Sequence, residues 1–231
     1  MRLEGILFDM DGLLLDSERL YLEASRQAFG EYSFDLQTEA YLECICTPDV
    51  QAVEILRAAY GEALPVEQVM ARAATLYGER VRAEPVPLKM GCLELLNFLQ
   101  ANDIKRAVVT STRTEMAEHK LKLAGIREAF AFVVGGDQVE RSKPDPAIYR
   151  RGVEKLGVPV EACLVLEDSE NGVRAAVAAG LRVIQVPDLK APSDEFLTLG
   201  HDVLPSLGAV QAYLAGLEGA HKPQTFNGAP F

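Results

Sequence analysis

Five short apolar segments, separated by amphipathic helical patterns, limit this chain to a small set of folds. The segments are bounded by Gly, Pro or Asp, as expected for strands that are buried on both faces. Strands that alternate with helices form parallel sheets, because each return to the sheet needs a crossover connection. The predicted strands occupy residues 5–9, 105–110, 131–134, 163–167 and 182–186, and helices are predicted at 91–100, 114–124, 146–156 and 170–179.

One long interval interrupts this alternation. Between residues 17 and 84 only helical patterns occur, at 18–29, 35–43, 49–60 and 66–82, and glycines and prolines separate them. We therefore predict an α/β fold in which a Rossmann-like parallel sheet core, residues 1–15 and 86–217, carries an inserted α-helical cap domain, residues 16–85. Residues 218–231 lack periodicity and are predicted to form a flexible C-terminal tail.

Charge and composition exclude several functional classes. The 34 acidic residues outnumber the 23 Lys and Arg residues, and the formal net charge is −11. This charge disfavours binding to nucleic acid or to an anionic membrane surface. No apolar stretch is long enough to span a bilayer, and the N-terminus does not resemble a secretory signal. The chain has four scattered cysteines, Cys44, Cys46, Cys92 and Cys163, which indicate reduced thiols and a cytoplasmic protein. We expect a monomer or a weak dimer.

Polar side chains cluster where the predicted strands end. In an open parallel sheet, ligands bind outside the carboxyl ends of the strands, so these positions are candidates for a site. The first strand is followed by Asp9, Asp11 and Gly12, the second by Thr110, Ser111 and Thr112, and the fourth by Glu167 and Asp168, while Lys143 lies in a turn before a helix.

These residue types suit phosphate chemistry. Crowded carboxylates need a divalent cation, and ligation by oxygen alone favours Mg²⁺. Hydroxyls near a helix N-terminus and a lysine can bind phosphate oxygens, while one carboxylate can attack phosphorus and a second can act as acid and base. Taken singly, each group has an ordinary structural alternative: an Asp-x-Asp pair is commonly a turn, Thr110 and Asp168 could serve helix caps, and Lys143 could be a solvated lysine.

The four groups together resemble the four motifs of the haloacid dehalogenase superfamily. The resemblance rests on residues 8–12 (Phe-Asp-Met-Asp-Gly), Thr110-Ser111, residues 142–146 (Ser-Lys-Pro-Asp-Pro) and residues 166–169 (Leu-Glu-Asp-Ser), in this order. It extends over nearly the whole chain to about Leu217. The long helical insertion resembles the cap of the subgroup that includes β-phosphoglucomutase, and residues 8–21 resemble pseudouridine-5′-phosphatase and 2-deoxyglucose-6-phosphatase.

The resemblance implies a role for each motif residue. Asp9 would be the nucleophile, and Asp11 would be the general acid and base. Asp9, Asp168 and the backbone carbonyl of Asp11 would hold Mg²⁺, with Glu167 as a further ligand, either direct or through water. The phosphoryl oxygens would be bound by a set of groups at the strand ends: Gly12, Thr110, the Ser111 amide and Lys143. Substrate-contacting residues near the cap would be Glu18, Tyr21, Thr47 and Arg113, with Cys44 and Cys46 as weaker candidates.

Other activities remain as alternatives to phosphatase activity. A dehalogenase would lack the second aspartate of the first motif, so Asp11 argues against that activity. The related mutases carry a cap histidine near the position of Tyr21 and an arginine near Pro48, and this chain has neither. A phosphonate hydrolase needs a cap lysine, and residues 17–84 contain none. A catalytically weak binding or regulatory relative would be expected to have lost a motif carboxylate. We therefore expect a Mg²⁺-dependent hydrolase of a small phosphorylated metabolite, a sugar phosphate or a nucleotide-like compound, with an aspartyl-phosphate intermediate.

Overall fold

A six-stranded parallel sheet forms the centre of the molecule. The computed structural model describes residues 3–45, 47 and 49–219. The strand order is β3-β2-β1-β4-β5-β6. The strands are β1 (Gly5–Phe8), β2 (Lys105–Val109), β3 (Val133–Val134), β4 (Cys163–Glu167), β5 (Arg182–Gln185) and β6 (Asp202–Val203). The five predicted strands are confirmed. The sixth strand was missed, because it has two residues, one of them exposed, and therefore lacks an apolar run.

Ten α-helices lie around the sheet or in the insertion, within the described part of the chain. They are α1 (Ser17–Glu31), α2 (Thr38–Cys44), α3 (Asp49–Tyr60), α4 (Val66–Ala83), α5 (Cys92–Ala101), α6 (Thr114–Leu123), α7 (Ala147–Leu156), α8 (Glu170–Ala178), α9 (Asp194–Leu197) and α10 (Leu207–Gly219). Helix α10 was missed, although Leu207, Val210 and Leu214 follow a helical spacing and are all buried. It extends two residues into the predicted tail, and residues 220–231 lie outside the described part.

Both faces of the sheet are buried. Along β1, Ile6 and Phe8 belong to one hydrophobic cluster, while Leu7 belongs to the cluster on the opposite face. Successive side chains of a strand point to opposite faces, so a strand that is buried on both faces must be apolar throughout. The first cluster includes residues of α5, α6 and α10, and the second includes residues of α7 and α8.

The insertion comprises α1 to α4 and leaves the core directly after β1. It has its own hydrophobic cluster, in which Phe29 of α1 packs with Val69 and Ala73 of α4. The two connections to the core run side by side, since the Asp16 amide donates to the Pro87 carbonyl at 2.8 Å and the Lys89 amide donates to the Leu14 carbonyl at 2.9 Å. This pairing places the insertion over the carboxyl end of β1.

An ionic cluster ties these connections to the loop after β5. Arg19 contacts Asp16 at 2.5 Å and Asp188 at 3.2 Å, and Lys89 also contacts Asp188. The Asp188 side chain is almost fully buried. Within the described residues, no helix combines the length and apolar content needed to cross a bilayer. The described cysteines Cys44, Cys92 and Cys163 are free thiols, and Cys46 lies outside the described part.

Candidate active site

The strand ends bring the motif residues to one edge of the sheet. Asp9 directly follows β1, and its amide still donates to the Leu166 carbonyl of β4 at 3.0 Å. Thr110 follows β2 and donates its amide to the Val134 carbonyl at 3.0 Å. Both side chains are buried. The sheet hydrogen bonds therefore fix the backbone of both residues up to the point where the side chains enter the site.

Lys143 lies at the centre of the site. Its ammonium contacts the Asp9 carboxylate, lies 2.6 Å from Glu167 Oε1 and donates to the Val109 carbonyl at 3.0 Å. Burial by itself would lower the pKa of Lys143, but Asp9 and Glu167 raise it above its usual value. The lysine is therefore held as a cation beside the predicted nucleophile.

Glu167 is fully buried and orients this lysine. The Tyr149 hydroxyl donates to its Oε1 at 2.5 Å, and the Ser169 hydroxyl donates to its Oε2 at 3.1 Å. A Cβ atom at Gly172 would lie 1.8 Å from Glu167 Oε1, so glycine is required there for close packing. Sequence reasoning missed Tyr149 and Gly172. Their positions in α7 and α8 give no local signal that they contact the end of β4.

Three carboxylates could hold a metal ion. Among the described residues, one oxygen from each of Asp9, Glu167 and Asp168 lies within 4.8 Å of the others. Burial raises the pKa of Asp9 to about 7, against the opposing effect of Lys143 and with a further increase from Glu167. Burial, followed by Asp9 and Glu167, raises the pKa of Asp168 well above its usual value. Such raised pKa values mean that the nearby positive charge does not fully stabilise the ionised carboxylates. A divalent cation would supply the missing positive charge.

The turn after β1 passes close to this cluster. Gly12 has φ +82°, and a Cβ atom there would lie 2.3 Å from Asp168 Oδ2. Only glycine fits this left-handed conformation and this approach at no steric cost. The Gly12 amide donates to the Ser17 hydroxyl at 3.2 Å and to the Leu15 carbonyl at 2.9 Å. In this structure Gly12 therefore shapes the turn, and its amide is already occupied.

Asp11 lies beside these three carboxylates and accepts two hydrogen bonds. The Thr112 hydroxyl donates to Oδ2 at 2.7 Å, and the Lys120 ammonium donates to Oδ1 at 2.5 Å. Lys120 was missed by sequence reasoning, although a signal was present. It falls on the apolar stripe of α6 together with Ala117 and Leu121, where an unpaired charge would be costly.

A cavity of about 660 Å³ opens between the core and the insertion. Asp9, Asp11 and Lys143 line its core side, along with Thr110, Ser111 and Asp168, and the predicted residues Glu18, Tyr21 and Thr47 line its insertion side. The insertion also contributes Tyr41, Cys44 and Tyr77. This volume is in the range of small-molecule sites. Arg113 is exposed at the N-terminus of α6 and is not among the cavity-lining residues.

The insertion side of the cavity carries one unusual carboxyl group. Burial raises the pKa of Glu18 to about 7, and Asp11 and Asp188 add to the increase. The Tyr41 hydroxyl donates to the Glu18 backbone carbonyl at 3.2 Å. Glu18 lines the cavity, and because its pKa is near neutral, its carboxyl group can be either protonated or ionised there.

Comparison with known families assigns the chain to one of them. Residues 6–186 match the model of the haloacid dehalogenase-like hydrolases. The chain therefore belongs to this family and is an enzyme of the phosphatase type. The phosphorylated carbohydrates phosphatase of Thermotoga maritima is 35% identical over 185 residues, which cover 79% of this chain and 84% of the relative. Hexitol phosphatase B of Escherichia coli O157:H7 is 30% identical over 217 residues, which cover 89% and 93%.

Solved structures of similar proteins support the same assignment. A Thermotoga maritima protein named as a candidate β-phosphoglucomutase superimposes with a TM-score of 0.76 at 31% identity, covering 93% of this chain and 100% of that chain. The CbbY protein of Rhodobacter sphaeroides, in complex with phosphate, superimposes with a TM-score of 0.68 at 30% identity, covering 90% and 96%. The family predicted from the four motifs and the fold predicted from the alternation of strands and helices are thus confirmed.

Proposed function

We propose that the enzyme is a Mg²⁺-dependent phosphomonoester hydrolase that acts on a small phosphorylated carbohydrate through an aspartyl-phosphate intermediate. One observation carries the proposal: Asp9 lies on the cavity floor in contact with Lys143 and within one cluster with Glu167 and Asp168. A nucleophile, a cation and a group of oxygen ligands are thereby gathered at one point. The carbohydrate preference is taken from the named substrates of the two relatives.

The residues at the site fit Mg²⁺. The donor set consists of carboxylate oxygens, which this ion prefers, and their raised pKa values indicate a local need for positive charge. We propose Asp9, Asp168 and the Asp11 backbone carbonyl as ligands. Both oxygens of Glu167 already accept hydrogen bonds from Lys143, Tyr149 and Ser169, which favours a contact through water. When bound, the ion would neutralise negative charge on the phosphoryl oxygens.

The first half of the reaction would be carried out by Asp9 and Asp11. A carboxylate oxygen of Asp9 forms a bond to phosphorus while the bond to the leaving oxygen breaks, and Asp11 gives its proton to that oxygen. Lys143, Thr110 and the Ser111 amide would hold the phosphoryl oxygens. Thr110 Oγ1 accepts a hydrogen bond from the Thr112 amide at 3.1 Å, so its own proton is directed elsewhere and can be donated.

In the second half, water attacks phosphorus as Asp11 removes its proton. The bond between Asp9 and phosphorus breaks, inorganic phosphate leaves, and both carboxyl groups return to their starting states. Residues 16–85 would act as the cap that covers the cavity, excludes bulk water and selects the leaving group through residues such as Glu18 and Tyr21. We place this reaction in the cytoplasm.

The second candidate function is that of a phosphosugar mutase, which the Thermotoga maritima neighbour's name suggests. The cavity wall holds Tyr21 near the position where the related mutases carry a histidine, and residues 17–84 contain no histidine. Pro48, at the other diagnostic position, lies outside the described residues. Phosphate release is therefore favoured over phosphoryl transfer to a second sugar hydroxyl.

Two measurements test the proposed function. The purified protein should release inorganic phosphate from members of a panel of hexose, hexitol, pentose and nucleoside monophosphates in Mg²⁺, and EDTA should stop the release. Absence of release from the whole panel and from p-nitrophenyl phosphate would overturn the assignment. Phosphorus NMR with β-glucose 1-phosphate separates the two candidates, because a mutase would form glucose 6-phosphate faster than phosphate.

A further inference from the structure

Lys120 is a buried lysine whose ammonium group makes specific polar contacts. It lies on the inner face of α6, and its side chain is 3% exposed. Its ammonium donates to Asp11 Oδ1 at 2.5 Å and to the Tyr77 hydroxyl at 2.9 Å. Burying an ammonium group is costly unless it is paired, so these two contacts determine where the side chain can lie.

Two residues of the core, Lys120 and Thr112, hold the carboxyl group of Asp11. Lys120 binds Oδ1, and the Thr112 hydroxyl binds Oδ2 at 2.7 Å. Two donors on the two oxygens fix the rotation of the carboxyl group as well as its position. Each oxygen keeps a further acceptor site, which can face the cavity that Asp11 lines.

Tyr77 links the same lysine to the insertion. It belongs to α4, and its ring packs edge-to-face against Tyr21 with 5.2 Å between the ring centres. The residue that precedes Lys120 in α6 makes a second contact with α4, since His119 Nε2 lies 3.0 Å from the Arg82 carbonyl. The insertion therefore touches α6 at two adjacent residues, and one of them holds Asp11.

We propose that Lys120 is a positioning residue for Asp11 and that the Tyr77 hydroxyl couples the position of the insertion to it, an inference that rests on the proposed acid–base role of Asp11. Lys120 lines the cavity, but its ammonium contacts Asp11 and Tyr77, so it would act on the reaction through Asp11. When α4 lies against α6, Lys120 is held between Tyr77 and Asp11. When the insertion moves away, Lys120 loses one of its two partners and the carboxyl group is held less tightly.

The test uses the chemistry of the leaving group. An alkyl phosphate needs a proton on its leaving oxygen, whereas p-nitrophenolate leaves without one, so a misplaced Asp11 affects the first substrate selectively. In Lys120→Met, the first turnover of a hexitol phosphate should slow about tenfold to a hundredfold, while the first turnover of p-nitrophenyl phosphate stays within about twofold. Slow hydrolysis of the intermediate should then appear as a burst of p-nitrophenolate.

Matched variants separate positioning from structure. Lys122→Met removes an exposed lysine from the same helix and should behave as wild type with both substrates. Lys120→Arg keeps a cationic donor and should recover part of the lost rate. Tyr77→Phe should show the same dependence on the leaving group, but more weakly. Its control is Tyr60→Phe, whose hydroxyl bonds to the Gln37 amide and the Asp35 carbonyl inside the insertion.

The outcomes distinguish this inference from the proposed function. Asp11→Asn should give the largest dependence on the leaving group, and its absence would overturn the acid–base role and this inference with it. If Asp11→Asn behaves as expected but Lys120→Met slows both substrates equally, or neither, the positioning role is wrong. If Lys120→Met does not fold, Tyr77→Phe decides, and an equal effect on both substrates, or none, would overturn the inference.

Discussion

The sheet edge and the insertion bury charge in different ways. At the sheet edge, Asp9, Lys143 and Glu167 form one network whose side chains are at most 10% exposed. In the insertion, charged pairs such as Arg72–Glu31 lie on the surface and the hydrophobic cluster is apolar and aromatic, while the largely buried Glu18 lines the cavity. The costly burial of ion pairs is thus concentrated at the candidate active site, while the insertion forms one wall of the cavity.

The largest expected difference between the two regions is in turnover. Asp9→Asn removes the proposed nucleophile but keeps the size of the side chain, and it should lower kcat by more than about 10³-fold. Asp35→Asn, an exposed aspartate of the insertion, should leave kcat unchanged. Phosphate release by purified variants with matched circular dichroism spectra measures this, and substantial activity in Asp9→Asn would exclude the covalent mechanism.

A second comparison concerns ion pairs in the metal-free protein. Lys143→Met leaves Asp9 and Glu167 buried without their cation, and it should cost about 3–5 kcal/mol of unfolding free energy at neutral pH. Arg72→Met breaks an exposed pair with Glu31 and should cause no measurable loss, because exposed pairs contribute little. Urea unfolding in EDTA compares the two variants. Equal losses would show that the buried network has no special role in stability.

Metal binding should stabilise the sheet edge and not depend on the insertion. At a Mg²⁺ concentration about 100 times the dissociation constant, the free energy of unfolding should increase by about 2.7 kcal/mol. Asp168→Asn should remove most of this gain, whereas Glu67→Gln in α4, an exposed residue paired with Arg57, should keep it. Thermal unfolding with and without Mg²⁺ measures the effect. An undiminished gain in Asp168→Asn would contradict the proposed ligand set.

The remaining comparison concerns a pH dependence of stability at Asp9. Its pKa is raised from 3.8 to about 7, mainly by burial, so the folded metal-free protein holds this proton more tightly than the unfolded chain does. Stability from this group is therefore complete below about pH 4 and is lost as the pH rises to about 7. Asp9→Asn cannot lose the proton, so its melting temperature in EDTA should rise relative to that of the wild type over this interval. A constant difference across the interval would contradict the raised pKa.

The sequence by itself determined the sheet, the insertion and the four motif positions. Asp9, Thr110 and Glu167 each end an apolar run, and a parallel sheet brings the ends of such runs to one edge, so local pattern was sufficient to place them. Lys143 was placed by its motif. The missed elements include the two-residue strand β6, which has little local signal, and helix α10, whose buried residues do follow a helical spacing.

Only the tertiary structure decided which groups surround these residues. Lys120 meets Asp11 across 109 positions of the chain, and it meets Tyr77 across 43. Tyr149 occupies an ordinary core position of α7, yet its hydroxyl reaches Glu167. A helical or strand period tells which face of an element is buried, but not which polar atom lies opposite. That depends on how α4, α6 and α7 pack against the sheet, since a hydrogen bond requires its two atoms to lie within about 3 Å of each other.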